Sequence, residues 1–234
     1  MNAFNLTTAS SLLVPENPYN IRSNYGPSDY DARHSFNMNY VWDLPIRQAL
    51  SGHGPRDLVD GWMVSGGLFA RSGFPFSVID AAFGGSLSGN NFTSPIFPEF
   101  LGSSVPSCGP SAAQPNSPPC LSTSQFTPEG TEANFVNGMR NRFRGPGFFD
   151  TDFAVNKSVS LHLSGPMEKA EFRLGVQFFN VFNHPNFDLP VNDISNSEFG
   201  RITRTVSVPT SMFGVFFGGD ASPRLIQLKA ELRF

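Results

Sequence analysis

Charge is scarce in this sequence. Lys, Arg, Asp and Glu supply 15% of its 234 residues, against roughly 25% in ordinary soluble domains. The net charge of -3 and isoelectric point near 5.8 leave no basic field for nucleic acid, whose phosphates demand one. Long apolar runs are missing too: no stretch approaches the roughly 20 residues of a membrane helix, which excludes a helical membrane protein. A membrane β-strand escapes that exclusion because it carries only alternating hydrophobicity, so the mean hydropathy of -0.17 is silent on it. Cysteine is reduced to Cys108 and Cys120, both in "SCGPSAAQPNSPPC". Two cysteines closing a short Pro/Ser-rich loop suggest a disulfide and an oxidising compartment; the alternative is two unrelated thiols. The opening "MNAFNLTTASSLLVPENPYN" has no basic region followed by an apolar one, hence no signal peptide. The expectation is a cytoplasmic protein or a piece of a longer one.

What is plentiful is aromatic and turn-forming: 25 Phe, 22 Gly and 20 Pro, a mixture that favours strands and loops over helices. Strict alternation recurs in five places, near 32–44, 61–72, 148–163, 170–183 and 223–234. In the first, Phe36, Met38, Tyr40 and Trp42 share one parity. In the third, Phe149, Phe153, Val155, Val159 and Leu161 oppose Asp150, Asp152, Asn156, Ser158 and Ser160. In the fourth, Phe172, Leu174, Val176 and Phe178 oppose Glu171, Arg173, Gly175 and Gln177. The last sets Ile226, Leu228, Ala230, Leu232 and Phe234 against Gln227, Lys229, Glu231 and Arg233. A period of two marks a strand with one apolar and one polar face.

Length and the polar face both point to a membrane. Soluble strands usually have about 5 or 6 residues, whereas these runs suit the about 9 to 11 of a tilted membrane strand. Charge along the whole polar face suits a wet lumen, and Tyr40, Trp42 and Phe234 at strand ends suit an interfacial girdle. The connections alternate in length: "SGPMEK" is short, while 72–147 and the stretch from His184 to Ser222 are long and rich in Gly, Pro, Ser and Asn. Long loops on one side and short turns on the other fit an outer-membrane barrel with the long loops outside.

Particular stretches then become recognisable. "NRFRGPGFFDTDFAVNKSV" and "AEFRLGVQFFNVFNHPNF" resemble the last part of TonB-dependent outer-membrane receptors of the Oar-like kind, which carry a carboxypeptidase-regulatory-like domain. "YGPSDYDARHSFNMNYVWDLP" and "GGLFARSGFPFSV" resemble earlier parts of the same barrel, and the four run in the family's order over roughly two-thirds of the chain. The resemblance implies a barrel of about 22 strands around a plug domain, energised by an inner-membrane complex through a TonB box. This sequence shows no plug and no TonB box. The expected fold class is therefore all-β: the carboxy-terminal segment of a large transmembrane β-barrel, five or six long antiparallel strands, in a Gram-negative type outer membrane.

Its expected partners are outer-membrane lipid, the barrel-assembly machinery, a plug and the remaining strands; the TonB complex would be reached only through the missing part. In the family the terminal strand resembles the signal read by that machinery, which falls here on Leu228, Ala230, Leu232 and Phe234.

Catalytic chemistry finds little support. His34, His53, His162 and His184 lack metal-ligand spacing, and Asp150 and Asp152 read as solvated lumen acids without a nucleophile nearby. "FGGSLSGNN" is Gly-rich but not a phosphate loop. No enzyme activity and no cofactor are expected. Arg140, Arg142 and Arg144 in "RNRFRGPG" are the one basic site of interest, either pairing lumen carboxylates or contacting an anionic ligand at an outer mouth. Phe92, Phe97 and Phe100 could contact a ligand or pack within the loop. The leading expectation is uptake of a large nutrient such as a siderophore, glycan or peptide. Its rivals are a secreted β-sandwich module binding carbohydrate or acting in adhesion and, more weakly, a hydrolase.

Overall fold

A computed structural model describes residues 20–81, 97–127, 139–161, 170–206 and 224–233. The chain falls into two compact units, each assembled from separated stretches: a sheet unit of 36–70, 149–185 and 222–234, and a loop unit of 1–35, 71–148 and 186–221.

The sheet unit is built on five strands in the order β1, β2, β5, β6, β7. They are β1 (Ser35–Asp43), β2 (Trp62–Arg71), β5 (Phe148–Leu161), β6 (Ala170–Phe179) and β7 (Leu225–Arg233), 9 to 14 residues each. All four pairings are antiparallel. Leu44 N donates to Trp62 O at one end of β1–β2 and Ser72 N to His34 O at the other, both at 2.9 Å. Ser158 N donates to Gly61 O at 2.8 Å between β2 and β5, and β5–β6 and β6–β7 pair along nine positions each. Between β1 and β2 the chain makes two single helical turns, α1 (Ile46–Ala49) and α2 (Arg56–Val59).

Register turns the alternation into two coherent faces. On one, Phe153–Phe178–Ile226, Val155–Val176–Leu228 and Val159–Phe172–Leu232 form apolar rows across three strands. On the other, Glu171 faces Arg233 and Arg173 faces Glu231, so opposite charges meet across the ladder, the favourable cross-strand arrangement. Arg173 Nε also donates to Glu171 Oε1 at 2.9 Å and Arg233 Nε to Glu231 Oε1 at 2.7 Å. Among the described residues the rows are open on β7, where Leu228 is 77% and Ile226 59% exposed.

One residue breaks the apolar face. Lys157 lies between Val155 and Val159, opposite Leu174. Its Nζ reaches the Asp60 carbonyl and lies 5.5 Å from the Trp62 ring centroid, an amphipathic side chain carrying its charge along an apolar surface to a polar group beside an aromatic ring.

The loop unit has a core of its own. The described part of the 72–147 stretch is a long loop of low regularity that nonetheless packs on buried Phe76, Val78, Phe100, Leu121, Phe126 and Phe143, joined by Ile194 and Phe199 from the second long stretch. Regular structure is minimal: β3 (Pro75–Phe76) pairs with β4 (Phe143–Arg144), and isolated bridges join Ile79 to Asp193 and Phe100 to Phe126. Single bridges have no repeating period, which is why alternation does not reveal this core. Cys108 and Cys120 form a disulfide with Cα atoms 5.2 Å apart, and Cys108 belongs to the core cluster.

In sequence the division falls at the first residue of β1, the last of β2 and the first of β5, whereas β6 and β7 lie wholly within the sheet unit.

Candidate functional site

The three arginines of the "RNRFRGPG" stretch sit around β4, and alternation decides what each can do. Phe143 is fully buried, so its neighbours Arg142 and Arg144 project the opposite way. Just before them Asn141 takes a left-handed backbone with φ of 53°, a conformation that Asn adopts more readily than most residues. A buried polar network holds that turn: Asn141 N donates to Ser77 Oγ at 2.8 Å, Asn141 Nδ2 donates to Pro27 O at 2.8 Å and to Asp29 Oδ1, and Asn192 Nδ2 donates to Ser77 O at 2.7 Å.

The arginines divide by task. Arg144 is engaged on all sides: Nη1 donates to Asp31 O at 2.8 Å and to Gly73 O at 3.2 Å, and Nη2 pairs with the Asp31 carboxylate. Its side chain is 16% exposed, so it staples the 25–33 segment to β4. Arg140 lies 3.8 Å from Asp29. Burial holds the Asp29 carboxyl above the usual carboxylate range, opposed by its hydrogen bond from Asn141 and by the Arg140 charge. Arg142 is exposed, leans 5.3 Å from the Phe100 ring centroid and donates to Met139 Sδ at 3.4 Å.

Between the 25–33 segment and the 140–144 turn is an open cleft of about 690 Å³, lined among others by Tyr25, Tyr30, Asp31, Arg33, Arg140 and Arg142. Tyr25 presents 86% of its surface to solvent, and Tyr30 packs edge-to-face on Phe74 at 6.4 Å. Sequence reasoning found the three arginines and missed Tyr25, Tyr30 and Arg33. The available signal was the density of aromatic and charged residues in "YGPSDYDAR", but nothing local says that it meets a turn more than a hundred positions away.

Other candidates scatter. Phe97 and Phe100 are buried in the core, which makes them packing residues; Phe92, His162 and "FGGSLSGNN" lie outside the described residues. His184 belongs to a turn in which its N–H donates to Asn180 Oδ1 at 2.9 Å, while Asn180 Nδ2 donates to His184 O at 2.9 Å. Asp152 Oδ1 accepts from Asn180 N at 3.2 Å. Asp150 is half-buried rather than freely solvated, and its Oδ1 has no hydrogen-bond partner among the described residues. No cluster of three metal-ligating side chains occurs among the described residues. Leu228, Ala230 and Leu232 are exposed on the apolar face of β7, and Phe234 lies outside the described residues.

The model of a family described as "Outer membrane beta barrel domain" matches residues 2–227. This chain belongs to the outer membrane beta barrel domain family. As a barrel-domain protein it resides in the outer membrane, where the exposed rows of β1, β6 and β7 have a solvent: apolar side chains that water would disfavour face lipid, and the charged rows face the barrel interior. No curated protein and no solved structure matches the chain.

Proposed function

We propose that this barrel chain is part of an active-transport receptor that takes up a large nutrient, such as a siderophore, glycan or peptide, through a TonB-energised barrel. The observation that carries the reading is the loop unit. Its described residues form a core of their own with a disulfide and an open cleft lined by arginine and tyrosine. Such a cleft suits capture of a ligand, and the charged face of β6 and β7 suits a hydrated barrel interior. No covalent chemistry and no cofactor enter this reading. The Oar-like resemblance supplies the energy source, which the chain reaches through a plug and strands beyond those described.

A soluble carbohydrate-binding sandwich is disfavoured, because its strands would bury the rows that β7 leaves exposed. The transport reading is tested by growth on a panel of large nutrients as sole source of carbon or iron. Deleting the gene abolishes growth on at least one of them, and so does deleting tonB. Growth that survives loss of tonB, or a passive permeability defect towards small solutes instead, overturns it.

A further inference from the structure

Four guanidiniums line one cleft, and they are not equivalent. Arg144 has its donors committed to Asp31 and the Gly73 carbonyl, and Arg140 sits beside the buried Asp29. Arg33 and Arg142 are exposed and have no carboxylate partner among the described residues. Among the described residues, Arg33 and Arg142 add positive charge beyond the Arg140–Asp29 and Arg144–Asp31 pairs, in a chain whose net charge is -3. That excess is held in place: the Asn141 turn and its bonds to Ser77, Asp29 and Pro27 fix the backbone between Arg140 and Arg142. Preorganised guanidiniums recognise carboxylates and phosphates with forked, charge-assisted hydrogen bonds. The size of the cleft is that of an organic ligand rather than of a single small ion, and the exposed Tyr25 ring offers that ligand a flat surface.

We propose that this cleft binds a ligand whose organic body carries at least two carboxylate or phosphate groups, with Arg33 and Arg142 contacting the anionic groups, Tyr25 contacting the body, and Arg140 and Arg144 positioning the site. The inference deepens the receptor reading and rests on it for what happens to the ligand after capture, not for the binding itself. The same chemistry occurs in a soluble acidic glycan and in the phosphorylated headgroup of lipid A, and the two sources are separable.

The test is titration calorimetry on the receptor extracted from outer membranes in detergent. The probes are trigalacturonate, vesicles containing lipid A, and neutral maltotriose. Trigalacturonate binds, and more weakly as NaCl is raised; maltotriose does not. The double variant Arg33→Gln/Arg142→Gln loses about 10- to 100-fold in affinity, the scale of a single charge-assisted hydrogen bond, while Arg33→Lys/Arg142→Lys retains the salt dependence and falls between. Binding of lipid A alone assigns the ligand to the membrane surface and upholds the site.

Failure of both anionic probes, equal binding of maltotriose, or unchanged affinity in the Gln variant overturns the proposal. Both substitutions are of exposed side chains, and an unchanged protease-resistance pattern shows that the loop unit is intact. If the cleft binds and uptake proves independent of TonB, the receptor reading falls and the site stands. If uptake depends on TonB and the cleft binds neither probe, the reverse holds.

Discussion

Phe143→Ala separates the two units most sharply. Phe143 is fully buried, and its ring lies 5.8 Å from that of Phe76, 5.3 Å from Phe100 and 5.7 Å from Phe126, centroid to centroid. Truncating a buried Phe to Ala costs about 3–5 kcal/mol through lost transfer energy and the cavity left behind. Three aromatic contacts, each contributing roughly 0.5–1.5 kcal/mol beyond burial, place this position at the upper end. A domain stable by about 5–15 kcal/mol then loses a large share of its margin. Proteolysis through an open state follows the population of that state when closing is fast, and a tenfold change corresponds to roughly 1.4 kcal/mol. Protease added to intact cells therefore cleaves the loop unit of Phe143→Ala two to three and a half orders of magnitude faster than wild type, while the sheet, held by its own ladder and by lipid, stays protected. Phe143→Leu refills most of the volume and costs about 1–2 kcal/mol, hence a far smaller acceleration. Cleavage at the wild-type rate in Phe143→Ala would refute the claim that the aromatic cluster holds this unit together. Simultaneous loss of sheet protection would refute the claim that the two units are separately stabilised.

Three further perturbations act on other parts of the chain. Replacing both Cys108 and Cys120 by Ala releases a loop of sequence separation 12; closure entropy on that scale is about 3 kcal/mol, so the loop unit should show a lower melting transition than the oxidised protein, with no change if the bridge is dispensable. Gly66→Ala puts a Cβ 2.3 Å from the Asp152 carbonyl and 2.6 Å from Tyr40 Oη, so the strands must part and the level of assembled protein in outer-membrane fractions should fall; a normal level would mean that β1, β2 and β5 are less closely paired.

Asp29 yields a pH dependence. Its folded-state carboxyl is raised by burial, so its contribution favours the folded loop unit below the ordinary carboxylate range and is lost as pH rises through the raised value. Asp29→Asn, which cannot ionise, should flatten that slope in denaturant unfolding followed from pH 3 to 8, and a slope unchanged by the substitution would count against the burial argument.

Legibility in the sequence follows physical periodicity. The strands were readable because each residue of a half-buried strand reports its face by parity, and that holds for Phe172 against Arg173 as for Leu228 against Lys229. Lys157 stands on the apolar parity because a long side chain can carry its charge elsewhere, and neither Asp60 nor Trp62, which receive it, is a neighbour in sequence. The loop core was not readable. Phe76, Phe126 and Phe199 meet through single bridges and turns, so their spacing carries no period. In the cleft, the arginines near 140 were visible as a cluster, but Arg144 reaches Asp31 across 113 positions, and a contact of that range has no local signature. Hence Arg144, grouped with its neighbours as either a carboxylate partner or a ligand contact, is in the fold a staple on Asp31, while Arg33 and Tyr25 went unselected.

The central claim is that the exposed apolar rows face lipid in an outer-membrane barrel. Single cysteines introduced one at a time from 226 to 233, in the Cys108–Cys120 disulfide background and spin-labelled in isolated outer membranes, read that out through collision with oxygen, which concentrates in lipid, and with a nickel chelate, which stays in water. Oxygen should dominate at Ile226, Leu228, Ala230 and Leu232, and the chelate at Gln227, Lys229, Glu231 and Arg233. Chelate access at all eight positions, or no alternation between them, would contradict the account.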